Sequence, residues 1–212
     1  MPHLRPLATC LCAAILPASA SELVLRDVGV GVRYLMQGYD YTLSDPSGDR
    51  SGSEGFDTGY EVLAGARWAW VGAGRSHGPY AGGEIAYTVR ESDATTLTTY
   101  GVTALGGWAV ALSDRWLVRV EGRLGYGAGD LEVDGGSSFS AVSGSGDWYG
   151  LGAAAGVSFA LTDRLHLGLD VGYDLETGSY DLDGLDTDLE VAGLRLALGL
   201  TWRWSIAPRP LE

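Results

Sequence analysis

The chain of 212 residues contains no lysine, so its 14 basic residues are all arginine, and against 27 acidic residues they leave a net charge of −13. A chain so acidic does not bind nucleic acid by releasing counterions from phosphates. Cysteine is nearly absent too: Cys10 and Cys12 both lie at the N-terminus, so the rest of the chain can build neither a disulfide nor a thiolate metal site. Charged residues make up only 19%, below the usual share of about a quarter. Beyond the N-terminus there is no apolar run of the ~18 residues that a membrane-crossing helix needs. Glycine, by contrast, is abundant, with 33 residues, about twice the ordinary share. This composition argues against a helical enzyme.

The N-terminus reads as a secretory signal peptide over residues 1–20. Arg5 supplies the basic start, Leu7 to Leu16 the apolar stretch, and Ala18-Ser19-Ala20 the small-residue cleavage site. Its removal would take both cysteines with it and direct the mature chain to an envelope or extracellular location.

From Val28 onward the residues alternate with period two, the mark of strands. Val28, Val30, Val32, Tyr34 and Met36 share a face opposite Gly29, Gly31, Arg33 and Gln37. Phe56, Tyr60, Val62, Trp68 and Trp70 oppose Gly59, Glu61, Gly65 and Arg67; Ala81, Ile85, Tyr87 and Val89 oppose Glu84, Thr88 and Arg90. Tyr100, Val102 and Trp108 begin the fourth apolar face, and Trp116, Val118, Val120 and Leu124 oppose Arg119, Glu121 and Arg123. Tyr149, Leu151 and Val157 back onto Gly150, Gly152 and Gly156; Leu167, Leu169 and Val171 onto His166, Asp170 and Asp174; Leu194 to Trp204 onto Gly193, Arg195 and Arg203. Eight strands are thus expected, in an all-β, antiparallel, up-and-down arrangement.

The second face is too rich in glycine to be a solvated surface, whereas glycine suits the crowded interior of a narrow barrel. The greasy face then belongs outside, against lipid, which makes the expected fold a transmembrane β-barrel. Long connections at Thr42–Gly55, Gly129–Asp147 and Glu176–Asp188 alternate with tight ones at Ser113–Arg115 and Thr162–Arg164, as external loops alternate with periplasmic turns. Trp68, Trp70, Trp108, Trp116, Trp202 and Trp204 fall beside the tight-turn side, as does Phe159. Tyr39, Tyr41, Tyr60, Tyr87, Tyr100, Tyr126, Tyr149 and Tyr173 fall toward the long-loop side. Two such girdles are what interfacial anchoring requires. The turn Leu112-Ser113-Asp114-Arg115-Trp116 has an echo in Leu161-Thr162-Asp163-Arg164-Leu165, consistent with a repeated hairpin or with common turn chemistry.

With these features the chain resembles the small eight-stranded outer-membrane barrels of the OmpA/OmpX type. The resemblance covers Val28 to Trp204 and is most specific at Gly199-Leu200-Thr201-Trp202-Arg203-Trp204, which looks like the terminal-strand signal read by the barrel-assembly machinery through Gly199, Trp202 and Trp204. The sequence departs from that signal at Ala197, where a polar residue is expected, and in continuing from Ser205 to Glu212. The expected organisation is a barrel over residues 21–204 and a short tail over 205–212, with localisation in the outer membrane. The partners implied are outer-membrane lipid, lipopolysaccharide and the assembly machinery.

An eight-stranded interior is only wide enough for side chains to fill. Arg33, Arg123 and Arg195 are expected to pair there with Glu61, Glu84, Glu121 and Asp170, as a structural ion network. The role expected is structural or surface-interacting, adhesin- or opacity-like, without a cofactor. A narrow gated pore is the alternative, and the family resemblance adds a lipid A-modifying enzyme. His77 and His166 map to the periplasmic end with no serine evidently paired to either, which argues against catalysis. The external segments carry most of the acid, with Arg50 almost the only base. Asp181, Asp183, Asp186 and Asp188 are weak candidates for holding a divalent cation.

Overall fold

The computed structural model describes residues 24–45, 48–70, 76–134 and 141–206, so the expected signal peptide lies outside the described residues, as does the tail beyond Ile206. The described chain forms nine strands: β1 (Val24–Asp45), β2 (Gly48–Gly55), β3 (Thr58–Trp70), β4 (His77–Glu91), β5 (Thr95–Ala111), β6 (Trp116–Val133), β7 (Val142–Ala160), β8 (Leu165–Leu182) and β9 (Leu185–Ile206). Each of β3 to β8 pairs antiparallel with the next, and β1 pairs with β9 from Val24↔Ile206 to Ser44↔Asp186, which closes the sheet on itself.

Strands β2 and β3 are two pieces of one stave. Both lie on the same side of β1, paired at Gly38↔Gly55 and at Tyr34↔Tyr60. Between these pairs Leu35–Gln37 face Phe56–Gly59, one residue more, which is a β-bulge. The barrel therefore has eight staves. Stepping across them from Val30 through Ala64, Ile85, Val102, Tyr126, Tyr149, Thr177 and Glu190 returns to β1 at Asp40. That stagger of ten residues makes the strands tilt strongly about the axis.

The alternation sorts side chains to the two faces of this wall. Val30, Val62, Ile85, Val102, Leu151 and Leu169 stand exposed on the outside. An apolar area so large and continuous suits hydrocarbon, not water. Trp116 and Tyr126, both on β6, mark its two edges. They are ten residues apart, about 33 Å of strand and roughly 25 Å along a tilted axis, the height of an outer-membrane apolar band. Trp68, Trp108, Trp202 and Trp204 are exposed at the level of Trp116, at the end that holds both ends of the described chain; Trp70, half-buried, is on the same outer face.

The inner face is crowded. Trp148 is buried, and its indole lies over the backbone of Gly101, Gly125 and Gly127, where a Cβ would come within 2.7–2.8 Å of the ring. Gly156 and Gly152 stand opposite Asp170 and Asp174 in register and leave the room these carboxylates occupy.

Some expectations need correction. The segments read as long external loops are mostly strand: β1–β2 and β8–β9 run on past the tyrosine level, paired as far as Asp45↔Gly48 in the first and Leu182↔Leu185 in the second. At the second, Asp183 and Gly184 both have positive φ (52° and 87°), a two-residue primed turn in which the Gly184 N–H donates to Asp181 Oδ1 at 2.7 Å. Phe56 does not face lipid, because the bulge turns it inward to a buried position. Tyr39 and Tyr41 do not join the girdle either; Tyr39 is buried inside with Tyr41 packed beside it. The echoed motif forms the same turn twice: Leu112 and Leu161 each donate their N–H to the carbonyl four residues on, and Ser113 and Thr162 accept the N–H of Arg115 and Arg164.

Replacing Trp148 by alanine should empty the space that the glycines leave. The expected loss is about 3–5 kcal/mol of folding stability, read as a lower urea midpoint of the purified barrel in detergent, with the outward Tyr149→Ala as a milder control.

Candidate functional site

The barrel interior holds the charged groups that the alternation turns away from lipid. At the end where the described chain begins and ends, Arg203 grips Asp27 through two bonds of 2.7 and 2.8 Å, and its Nη1 is 3.3 Å from His166 Nδ1. Beside them Ala69, Tyr80, Ala109 and Leu117 form a small buried cluster, from which the Tyr80 hydroxyl donates to Glu121 Oε2 at 2.5 Å.

Glu84 is the hub of the mid-barrel. Its side chain is fully buried and accepts from both Arg33 and Arg123, with Arg67 Nη2 at 3.5 Å from its second oxygen. Arg33 also reaches Glu61, and Arg123 Nη1 is 3.2 Å from Glu121 Oε1. The expected residues do meet here, with two changes of partner. Asp170 pairs with Arg119 at 2.5 Å, and Arg195 lies closest to Asp174, at 2.7 Å, with Glu121 further off at 3.8 Å. One layer outward, Arg90 donates to Gln37 Oε1 at 2.6 Å and to both oxygens of Glu176 at 2.7 Å.

Sequence reading named Arg33, Glu61, Glu84, Glu121, Arg123, Asp170 and Arg195 and left out Arg67, Arg90, Arg119, Arg203, Asp27, Asp174 and Glu176. The signal was available: every omitted residue sits on the inward parity of its strand, as the named ones do. In these ion pairs of the lumen, seven arginines (33, 67, 90, 119, 123, 195, 203) meet seven carboxylates (27, 61, 84, 121, 170, 174, 176). Balance is what burial demands, because an unpaired charge in a narrow, poorly hydrated lumen costs several kcal/mol.

Above this network the inside changes character. Tyr39, Phe56, Leu97, Leu131, Tyr180, Leu182, Leu189 and Val191 form a buried apolar cluster that fills the external end, with Tyr39 OH donating to Glu54 Oε2 at 2.8 Å. Between network and cluster, beside Trp148, Thr99 and Glu176, remains a cavity of about 30 Å³, room for roughly two waters. The outer wall changes at the same level. Beyond the tyrosines it carries Asp40, Asp130, Asp147, Asp181, Asp186, Asp188 and Glu190, all exposed.

The aspartates proposed as metal ligands do not converge. Among the described residues no group of three or more His, Cys, Asp or Glu is arranged to hold an ion. Asp181 is occupied in closing its turn, and Asp188 accepts from the Ser179 hydroxyl at 2.7 Å. His166 is engaged by Arg203, and His77 stacks near Trp108 with ring centroids 5.8 Å apart. In the terminal strand Gly199 faces inward between Gly31 and Gly168, while Trp202 and Trp204 face outward with centroids 6.4 Å apart.

Glu84→Gln should leave the Arg33 and Arg123 guanidiniums without their shared anion. A destabilisation of about 3–5 kcal/mol is expected, measured as the urea midpoint of the detergent-solubilised barrel; no change would mean that these arginines are hydrated and not buried.

Among solved structures, the chain is similar to Neisserial surface protein A (16% identity over 84% of this chain and 97% of that one, TM-score 0.46). It is similar to Ail, the attachment invasion locus protein of Yersinia pestis (15% identity, 85% and 98% covered, TM-score 0.44). A third is the outer membrane protein OprG from Pseudomonas aeruginosa (14% identity, 87% and 96% covered, TM-score 0.49). No curated protein matches it significantly. The model of the outer membrane protein beta-barrel domain matches residues 7–203, almost the whole length, and with a closed, lipid-faced barrel the chain belongs to that family and to the cell outer membrane.

Proposed function

We propose that this protein is a sealed outer-membrane barrel whose role is structural and surface-interacting, adhesin- or opacity-like, and not the passage of solutes. The observation that carries this reading is the double filling of the lumen: a charge-balanced network at mid-barrel and an apolar cluster at the external end. Either alone narrows an eight-stranded barrel, and two fillings in series support a closed lumen. A gated pore would need both to move. Catalysis would need a nucleophile beside a base, and neither His77 nor His166 has one among its contacts with the described residues.

The part offered to the outside is the strand extension beyond the tyrosines, with its outward aspartates, serines and threonines. Acid at that height suits lipopolysaccharide phosphates with divalent counterions shared between them, and it suits cationic surfaces of other proteins or cells. During biogenesis Gly199, Trp202 and Trp204 are the residues through which the assembly machinery would read the last strand.

Planar-bilayer recording is the test. The wild type should give no sustained conductance, and Arg123→Ala should lower stability while staying closed, because the external cluster still blocks the path. Adding Tyr180→Ala to Arg123→Ala should open it. Steady channel activity in the wild type would replace this reading with the pore, and a changed lipid A mass on expression would replace it with the enzyme.

A further inference from the structure

We propose that Arg26 anchors a binding site for an anionic glycerophospholipid of the periplasmic leaflet. Arg26 stands on the outer face near the start of β1, in register with Trp68 of β3 on one side and Trp204 of β9 on the other. Directly opposed side chains on neighbouring strands lie about 5 Å apart at Cβ, so the Arg26 side chain leaves the wall between two tryptophans. Arg26, Trp68 and Trp204 are all exposed, and among the described residues no carboxylate pairs with Arg26. Its neighbour in sequence, Asp27, is turned inward and taken by Arg203.

The surroundings have the shape and chemistry of a lipid seat. Arg26, Trp68 and Trp204 line a groove of about 560 Å³ together with Val28, Ala66, Arg67 and Asp27, whose carboxylate is held by Arg203. Ala66 is the small residue in register with Val28, so the groove deepens on the side toward the membrane core. An acyl chain fits along Val28 and Ala66, while the planar guanidinium at the tryptophan level, where headgroups lie, matches a phosphate with two parallel N–H bonds. Among the described residues the other exposed carboxylates at this end, Asp114 and Asp163, lie in turns next in sequence to Arg115 and Arg164. The acidic surface of the protein is at the opposite end. A headgroup with net negative charge is therefore favoured over a zwitterionic one.

The experiment is native mass spectrometry on the full-length mature barrel, freed of lipid in a non-ionic detergent. It is titrated with phosphatidylglycerol, with phosphatidylcholine of the same acyl chains, and with soluble glycerol phosphate. The wild type should retain one phosphatidylglycerol about fivefold more tightly than phosphatidylcholine, the scale of one arginine at a charged interface. Arg26→Gln should abolish the difference, Arg26→Lys should keep part of it, and Arg164→Gln should leave it intact. Heat-modifiable migration of each variant checks that it is folded. Equal retention of the two lipids by the wild type would reduce the groove to ordinary annular contact and overturn the proposal. So would a preference that survives in a folded Arg26→Gln. Displacement of the lipid by an equal concentration of glycerol phosphate would assign the site to free phosphate instead of lipid.

Discussion

No water is present in the hydrocarbon of a membrane, so every backbone N–H and C=O that lies there must find its partner within the protein. That constraint requires β1 to meet β9. The pairing runs from Val24↔Ile206 to Ser44↔Asp186 without interruption, and once it is made the wall has no edge within the membrane. Period-two alternation then means one face to lipid and one to the lumen, and the other features of the molecule stem from that division.

The lumen inherits whatever the outer face cannot carry. Lipid excludes charge, so the charged residues at mid-membrane gather inside, where the described ion pairs match seven arginines with seven carboxylates and Glu84 serves several arginines at once. The side chains are long and the space is small, which is why they meet glycine: Gly152 stands opposite Asp174 and Gly172 opposite Arg195. Because the seven arginines and seven carboxylates of these ion pairs cancel, the acidic excess of the described residues lies outside the network. The external strands hold most of it, while the other end keeps exposed arginines such as Arg26. The molecule is thus polarised along its axis, with acid toward the outside of the cell.

Beyond the tyrosine girdle the solvent changes from lipid to water, and the wall inverts. On β8 the outward residues run Leu167, Leu169, Val171, Tyr173, Leu175 and then Thr177, Ser179, Asp181; the inward ones run Asp170, Asp174, Glu176 and then Tyr180, Leu182. The external end is accordingly an ordinary hydrophobic core enclosed by a polar sheet, stacked on a polar core enclosed by an apolar sheet. The same strands that enclose this external core carry the acidic residues on their outer face.

Much of this was legible in the sequence by itself. Alternation with strongly different faces determined the strands, the glycine-rich character of the second face determined which side meets lipid, and the sorting of Trp from Tyr determined the two interfaces. Those are properties of each strand taken alone. The external extensions were misread as loops because apolar and polar residues exchange parity at the girdle, so that Leu182, Leu185 and Leu189 fall out of step with the lipid-facing set. Only the closed barrel decided that they point inward, that the bulge at Phe56 to Gly59 turns that ring into the core, and that Asp170 belongs to Arg119. Only closure, too, brings Trp204 beside Arg26, since the pairing of the first strand with the last joins residues from opposite ends of the chain, and register between distant strands is set by the stagger of the whole barrel and by no local pattern.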